Sequence, residues 1–160
     1  MSDTSPFVKP LRVYVDTSVF GGVFDDVFSS GSMLFFERIK EGRFIAIVSS
    51  VVIDELRAAP ERVQRVLTDI PESSVEIIYA TSEAKTLCDR YLKEGIVSGS
   101  SENDAMHVAI ATVYGASAIV SWNFKHIVNY DKIHKYNGIN MLLGYGKIDI
   151  FSPNIMVSGD

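Results

Sequence analysis

Five short apolar runs recur along the chain, at residues 13–15, 44–48, 75–79, 118–122 and 148–151. Val13-Tyr14-Val15, Phe44-Ile45-Ala46-Ile47-Val48 and Ala118-Ile119-Val120 carry no polar residue at all. A strand with one wet face alternates, so a near-continuous run is one buried on both faces. The intervening segments have helical spacing, at residues 32–40, 51–59, 61–68, 82–94 and 102–114. Buried strands alternating with helices give an α/β fold, a parallel sheet with helices on both faces. Ser32, Ser49 or Ser50, Ser82 and Ser101 stand where helices begin, and Gly42 and Gly115 where two of them end. Gly21-Gly22 and Asp25-Asp26 read as a loop, and residues 125–136 as partly helical.

Length allows one domain with a sizeable core, since 160 residues are too few for two ordinary ones. Hydrophobic residues at 47% exclude a disordered chain. The single cysteine, Cys88, cannot close an internal disulfide, which favours a reducing compartment, and it reads as a small core residue. The first ten residues lack the basic start and apolar run of a signal peptide. Residues 44–53, the densest apolar stretch, are too few to cross a bilayer. The expectation is a soluble, cytoplasmic protein with no membrane partner. A net charge of −5 argues against indiscriminate nucleic-acid binding but leaves room for a local basic rim.

Three acids occupy equivalent places in this plan. Asp16 ends the first strand, Glu55 lies in the helix after the second, and Asp104 opens the helix before the fourth. Ligands bind at the carboxyl ends of strands in an open α/β sheet, so the three have one crevice in which to converge. Each also has a plainer reading. Asp16 can cap the turn that follows it, and Asp104, three residues after Ser101, can complete a capping box. Glu55 neighbours Asp54; their side chains diverge by about 100° on a helix, so only one faces a pocket, and spacing does not decide which. Asn123 ends the fourth strand and reads either as a neutral oxygen donor or as a turn asparagine. His107 shares the Asp104 face of its helix and reads first as a surface histidine bonded to a nearby acid.

Clustered carboxylates repel and raise one another's pKa, and a divalent cation relieves the strain. Oxygen-only ligands select magnesium or manganese, whereas three scattered histidines do not make a zinc site. Such an ion suits phosphodiester hydrolysis. Lys125, His126, Lys132, His134 and Lys135, interleaved with Tyr130 and Tyr136, form the one obvious basic and aromatic stretch. Lysine pairs with phosphate and tyrosine can stack a base, so this stretch is a candidate RNA contact as well as a solvated loop.

Together, Val15-Asp16-Thr17-Ser18, Glu55, Asp104-Ala105-Met106-His107 and Ser121-Trp122-Asn123-Phe124-Lys125-His126-Ile127 resemble the PIN-domain family, and within it the VapC-like toxins. The likeness runs over residues 12–153, leaving 1–11 as an N-terminal extension and 154–160 as a tail. It implies a five-stranded parallel sheet of order 3-2-1-4-5 and a magnesium- or manganese-dependent ribonuclease. Asp16, Glu55 and Asp104 match the family's metal-binding acids, and Ser18 matches a residue that supports the first of them. A cognate antitoxin and a homodimer are implied as partners. Asn123 departs from the pattern, because many members carry an acid there, after a residue matched here by Ser121.

The expected function is a metal-dependent endoribonuclease, the toxin of a toxin–antitoxin pair. Asp16, Glu55 and Asp104 would hold the ion, Asn123 would position a water, and Ser18 and Ser121 would support them. The alternative is a PIN-like module that binds RNA or protein, its catalysis weakened at Asn123. Phosphoryl transfer through Asp16 as nucleophile lacks its usual acid two residues on, where Ser18 stands.

Overall fold

A computed structural model describes residues 9–158. Its single sheet has five strands, β1 (Leu11–Val15), β2 (Phe44–Ser49), β3 (Val75–Ile78), β4 (Ala118–Val120) and β5 (Asp149–Phe151). They run in the order β3-β2-β1-β4-β5, and every pairing is parallel. The expected sheet order is thus the observed one. The chain winds outward from β1 through β2 to β3, then returns to the other side of β1 with β4. That reversal is where crevices open in such sheets, between the carboxyl ends of β1 and β4.

Among the described residues eight α-helices cover the sheet: α1 (Thr17–Gly22), α2 (Ser29–Lys40), α3 (Ser50–Arg57), α4 (Glu61–Thr68), α5 (Ser82–Lys93), α6 (Glu102–Val113), α7 (Tyr130–Leu142) and α8 (Pro153–Val157). Val13, Tyr14 and Val15 have no exposed surface, as an apolar run in the central strand requires. Burial of each such valine stabilises the fold by about 1.5–3 kcal/mol. Gly42, after α2, and Gly115, after α6, take the left-handed conformation expected where those helices stop. Cys88 is buried in the core, where burial raises its thiol pKa to about 11 and leaves it inert.

Several boundaries differ from the sequence expectation. Gly21-Gly22, read as the start of a loop, instead close α1, which begins at Thr17. Helix α2 begins at Ser29, so Ser32 is not its cap. The Ser32 hydroxyl is instead buried, donating to the Val19 carbonyl at 2.7 Å and accepting from the Trp122 indole N–H at 2.9 Å. Strand β4 stops at Val120, which frees Ser121 and Trp122 for the crevice. Asn129 caps α7 by accepting from the Lys132 N–H, so that helix starts at Tyr130 and runs past residue 136 to Leu142. Beyond Pro153, α8 packs against α2 and buries Val157. Most of the expected N-terminal extension lies outside the described residues.

Candidate functional site

Asp16 follows directly on β1, and Ser121 directly on β4. The strand register pairs Val15 with Val120, so the next residue of each chain emerges side by side, and the Asp16 N–H still donates to the Val120 carbonyl at 3.0 Å. Asp16 occupies the cap position of α1, but its side chain caps no backbone N–H. Its Oδ2 accepts two hydroxyls, Ser18 Oγ at 2.7 Å and Ser121 Oγ at 2.8 Å. Each hydroxyl is itself fixed, Ser18 Oγ accepting from the Trp122 N–H and Ser121 Oγ from the Asn123 N–H. A carboxylate only 5% exposed is thereby locked through one oxygen, and Oδ1 is left to face the crevice.

The choice between Asp54 and Glu55 is resolved. Asp54 is exposed and pairs with Arg57 on its own helix. Glu55 turns inward, where Oε1 accepts from Thr17 Oγ1 at 2.9 Å and from His107 Nε2 at 2.8 Å. His107 is not a surface histidine. It is 1% exposed, its Nε2 also lies 3.4 Å from Asp16 Oδ1, and its Nδ1 lies 2.6 Å from the Tyr14 hydroxyl. Tyr14 continues the chain to Ser49 Oγ at 2.6 Å, the cap of α3. With both ring nitrogens protonated, every group in this line has a partner: His107 donates to Glu55 and Tyr14, and Tyr14 donates to Ser49. Burial works against charge on His107, yet the Glu55 hydrogen bond and the Asp16, Glu55 and Asp104 charges lift its pKa above the ordinary value. Burial pushes Glu55 upward, but the bond to His107, its charge and the Thr17 hydroxyl prevail and hold its pKa low. Burial raises the Tyr14 phenol far enough to stay neutral.

Asp104 sits in the first turn of α6, half-buried. Ser101 precedes the helix but makes no capping bond with its side chain, its Oγ lying 3.3 Å from His126 Nε2 instead. The capping box is therefore absent, and the acid is left for the crevice. Burial and the nearby Asp16 charge raise the Asp104 pKa, opposed by His126, by a hydrogen bond from the Asn123 side chain and by His107. Asn123 is a turn asparagine as well, since its Oδ1 accepts from the His126 N–H at 2.9 Å. His126 Nδ1 is buried without a hydrogen-bond partner among the described residues.

The basic stretch is only partly available. Lys125 and Lys135 are exposed. Lys132 is tethered, donating to the Ile96 carbonyl at 2.8 Å. Tyr136 is fully buried and donates to the His126 carbonyl, so it offers no ring to a base. Tyr130 is exposed, edge-on to His134. Tyr14, Thr17 and the buried role of His107 were not singled out as site residues. Tyr14 is one of three apolar-looking strand residues, and only the pairing of β1 with α6 shows where its hydroxyl ends.

The donor set matches a hard divalent cation in chemistry: carboxylate oxygens, one of them on a locked aspartate and 3.4 Å from His107 Nε2, beside an acid whose charge is disfavoured by burial and by Asp16. Among the described residues no three His, Cys, Asp or Glu side chains are gathered into a ready ligand cage. Magnesium does not need one, being held by one or two carboxylates with the remaining positions taken by water and substrate phosphate. Asp16 and Asp104 fit that requirement, while Glu55 is engaged by Thr17 and His107.

The fold has close counterparts. It superposes on VapBC2 from Rickettsia felis, solved bound to a DNA fragment from its promoter, with a TM-score of 0.52 and 17% identity over 89% of this chain and 98% of that one. VapC20 from Mycobacterium tuberculosis, a sarcin-ricin loop cleaving toxin, gives 0.55 and 12% over 85% and 98%. FitAcB from Neisseria gonorrhoeae gives 0.54 and 12% over 88% and 97%. No curated protein matches the chain. At these identities the likeness is one of fold. The sequence itself matches the PIN domain model over residues 13–130, a span from β1 to the start of α7 that holds all three crevice acids, and the chain belongs to the PIN-domain family.

Proposed function

We propose that the protein is a magnesium- or manganese-dependent endoribonuclease acting in the cytoplasm, the toxin of a toxin–antitoxin pair. The observation that carries this reading is Asp16, buried at the switch point of the sheet and locked through Oδ2 by two serine hydroxyls, with Oδ1 3.4 Å from His107 Nε2 and its charge near enough to Asp104 to raise that acid's pKa. Asp16 and Asp104 would hold the ion, with Glu55, now engaged by Thr17 and His107, as the further candidate ligand. A divalent cation bound there supplies an activated water and neutralises charge on the phosphate. The chain's own residues do the rest. Ser18 and Ser121 keep Asp16 in one rotamer, the Asn123 amide orients Asp104, and Lys125 and Lys135 attract the RNA backbone. Asn123 brings no negative charge, which favours a single ion over two.

An antitoxin and a second copy of the chain are the proposed partners. A groove of about 340 Å³ between α1, α2 and α4, with Phe24, Met33, Phe36 and Val66 in its walls and Arg62 and Lys40 at its rim, suits an apolar segment of the antitoxin. The second reading, a module that binds RNA without cutting it, draws on the His107 contact with both Asp16 and Glu55, which sets an imidazole where an ion would bind. Manganese titration followed by electron paramagnetic resonance separates the two. Stoichiometric binding that Asp16→Asn abolishes supports the nuclease; RNA affinity without any manganese binding supports the module.

A further inference from the structure

Beside the carboxylates lies a second pocket of about 390 Å³, lined by Ser18, Gly21, Gly22, Asp25, Phe28, Trp122 and Asn123. Two of these residues belong to the site already described, since Ser18 donates to Asp16 and Asn123 follows Ser121, its N–H donating to the Ser121 hydroxyl that holds Asp16. The pocket is thus continuous with the place where a phosphodiester would be cut.

Its wall is aromatic and rigid. The Phe28 ring stacks on the Trp122 indole, centroids 4.3 Å apart and planes inclined by 18°, with Phe124 tilted against both. The indole cannot shift. Its Nε1–H is bound to Ser32, and a Cβ at Gly22 or Gly31 would come within 3 Å of its atoms, so only glycine admits it there. The indole itself is only 6% exposed, so the half-buried Phe28 is the ring of this fixed stack that a nucleobase can reach, and stacking of that kind is worth about 1–3 kcal/mol per base.

Asp25, an exposed residue, lines the pocket. Its Oδ1 accepts from the Val27 and Phe28 N–H groups at 2.8 and 3.1 Å, which fixes the carboxylate at the start of the Phe28 turn, and Oδ2 takes part in neither bond. A fixed carboxylate repels phosphate and accepts N–H donors. Among the four RNA bases, guanine alone presents two adjacent donors, N1–H and N2–H₂, to such a group. We propose that this pocket is a guanine subsite, seating the base next to the scissile phosphate on the Phe28–Trp122 stack with its Watson–Crick edge on Asp25. The assignment rests on the ribonuclease reading for its meaning, though not for its test.

Trp122 is the sole tryptophan, so its fluorescence reports on the pocket directly. The full-length protein, in chelator and excited at 295 nm to limit nucleotide absorption, is titrated with GMP, AMP, CMP and UMP. Saturable quenching by GMP at concentrations about 10-fold below the others is expected, a factor in line with one good base-edge pairing. Asp25→Asn keeps the oxygen that caps Val27 and Phe28 but replaces the other acceptor by a donor; it should abolish the preference for GMP while leaving the circular dichroism spectrum unchanged. In a parallel assay, wild-type protein should cut a labelled RNA beside guanine, and Asp25→Asn should cut it without that preference. No saturable quenching by GMP, or equal quenching by all four nucleotides, overturns the subsite even if RNA is cut. GMP-selective quenching that depends on Asp25, with no RNA cleavage under any metal, upholds the subsite and overturns the ribonuclease reading instead.

Discussion

His107 Nε2 lies 2.8 Å from Glu55 Oε1, a bond that ties α6 to α3 across the crevice and leaves the imidazole wedged between Glu55 and Asp16. The ring is buried and Glu55 about one-third exposed, so the pair is partly shielded from water. Removing one partner of a buried pair costs more than the pair contributes, because the other is left uncompensated. His107→Ala is therefore expected to destabilise the fold by about 2–3 kcal/mol, below the cost for a fully buried pair because Glu55 keeps some water. Urea denaturation measures it; a change under 0.5 kcal/mol would mean the contact carries little.

The same pair fixes a pH window. Glu55 has a lowered pKa in the folded chain, so its contribution is present above its ordinary value of 4.5 and is lost as pH falls through the lower folded value. His107 has a raised one, so its contribution is present below 6.5 and is lost as pH rises through the higher folded value. The metal-free protein should gain most from the pair between these two ordinary values. Thermal unfolding in chelator across that range should show the plateau, and His107→Asn should remove its alkaline edge.

Gly31 lies under Trp122, where an added Cβ would stand 2.8 Å from the indole and closer still to Asn154. Overpacking of this kind costs about 1–3 kcal/mol. Gly31→Ala should lower the unfolding midpoint and shift the tryptophan emission, whereas Gly21→Ala, with open space around it, should do neither. Paired melts and emission spectra of the two variants decide this.

Asn123→Asp replaces a neutral amide that favours the charged form of Asp104 with a second negative charge. Without metal the two acids repel, so the variant should melt lower than wild type; with manganese it should bind the ion more tightly, by about 10-fold for one added ligand charge at close range. Calorimetric titration gives both affinities. Weaker binding by the variant would show that the amide's orienting bond matters more than charge.

Much of this site could be read from the chain. The runs at Val13-Tyr14-Val15 and Phe44 to Val48 gave the parallel sheet, because a strand apolar on both faces has few other homes. Asp16, Glu55 and Asp104 stood out as acids at strand ends. Local patterns hid the rest. Ser101 and Asp104 have the spacing of a capping box, yet the Ser101 hydroxyl goes to His126, a contact made across 25 positions of sequence. His107 looked exposed because helix periodicity does not reveal that α6 is buried along most of its length. Tyr136 looked like a base-stacking ring because nothing in its neighbours announces that α7 turns it into the core. Trp122 was read as the end of a strand, and its clamp by Gly22, Gly31 and Ser32 comes from elements far apart in the chain.

In the proposed function Asp16 and Asp104 carry a metal-dependent cut in RNA. The most direct measurement is single-turnover cleavage of an end-labelled RNA by wild-type protein, Asp16→Asn and Asp104→Asn, each with magnesium, with manganese and with chelator, after circular dichroism has shown all three folded. Cleavage by wild type in either metal, abolished by chelator and reduced at least about 100-fold in both variants, is the expected result. Cleavage that survives chelator, or that either variant performs at the wild-type rate, would contradict it.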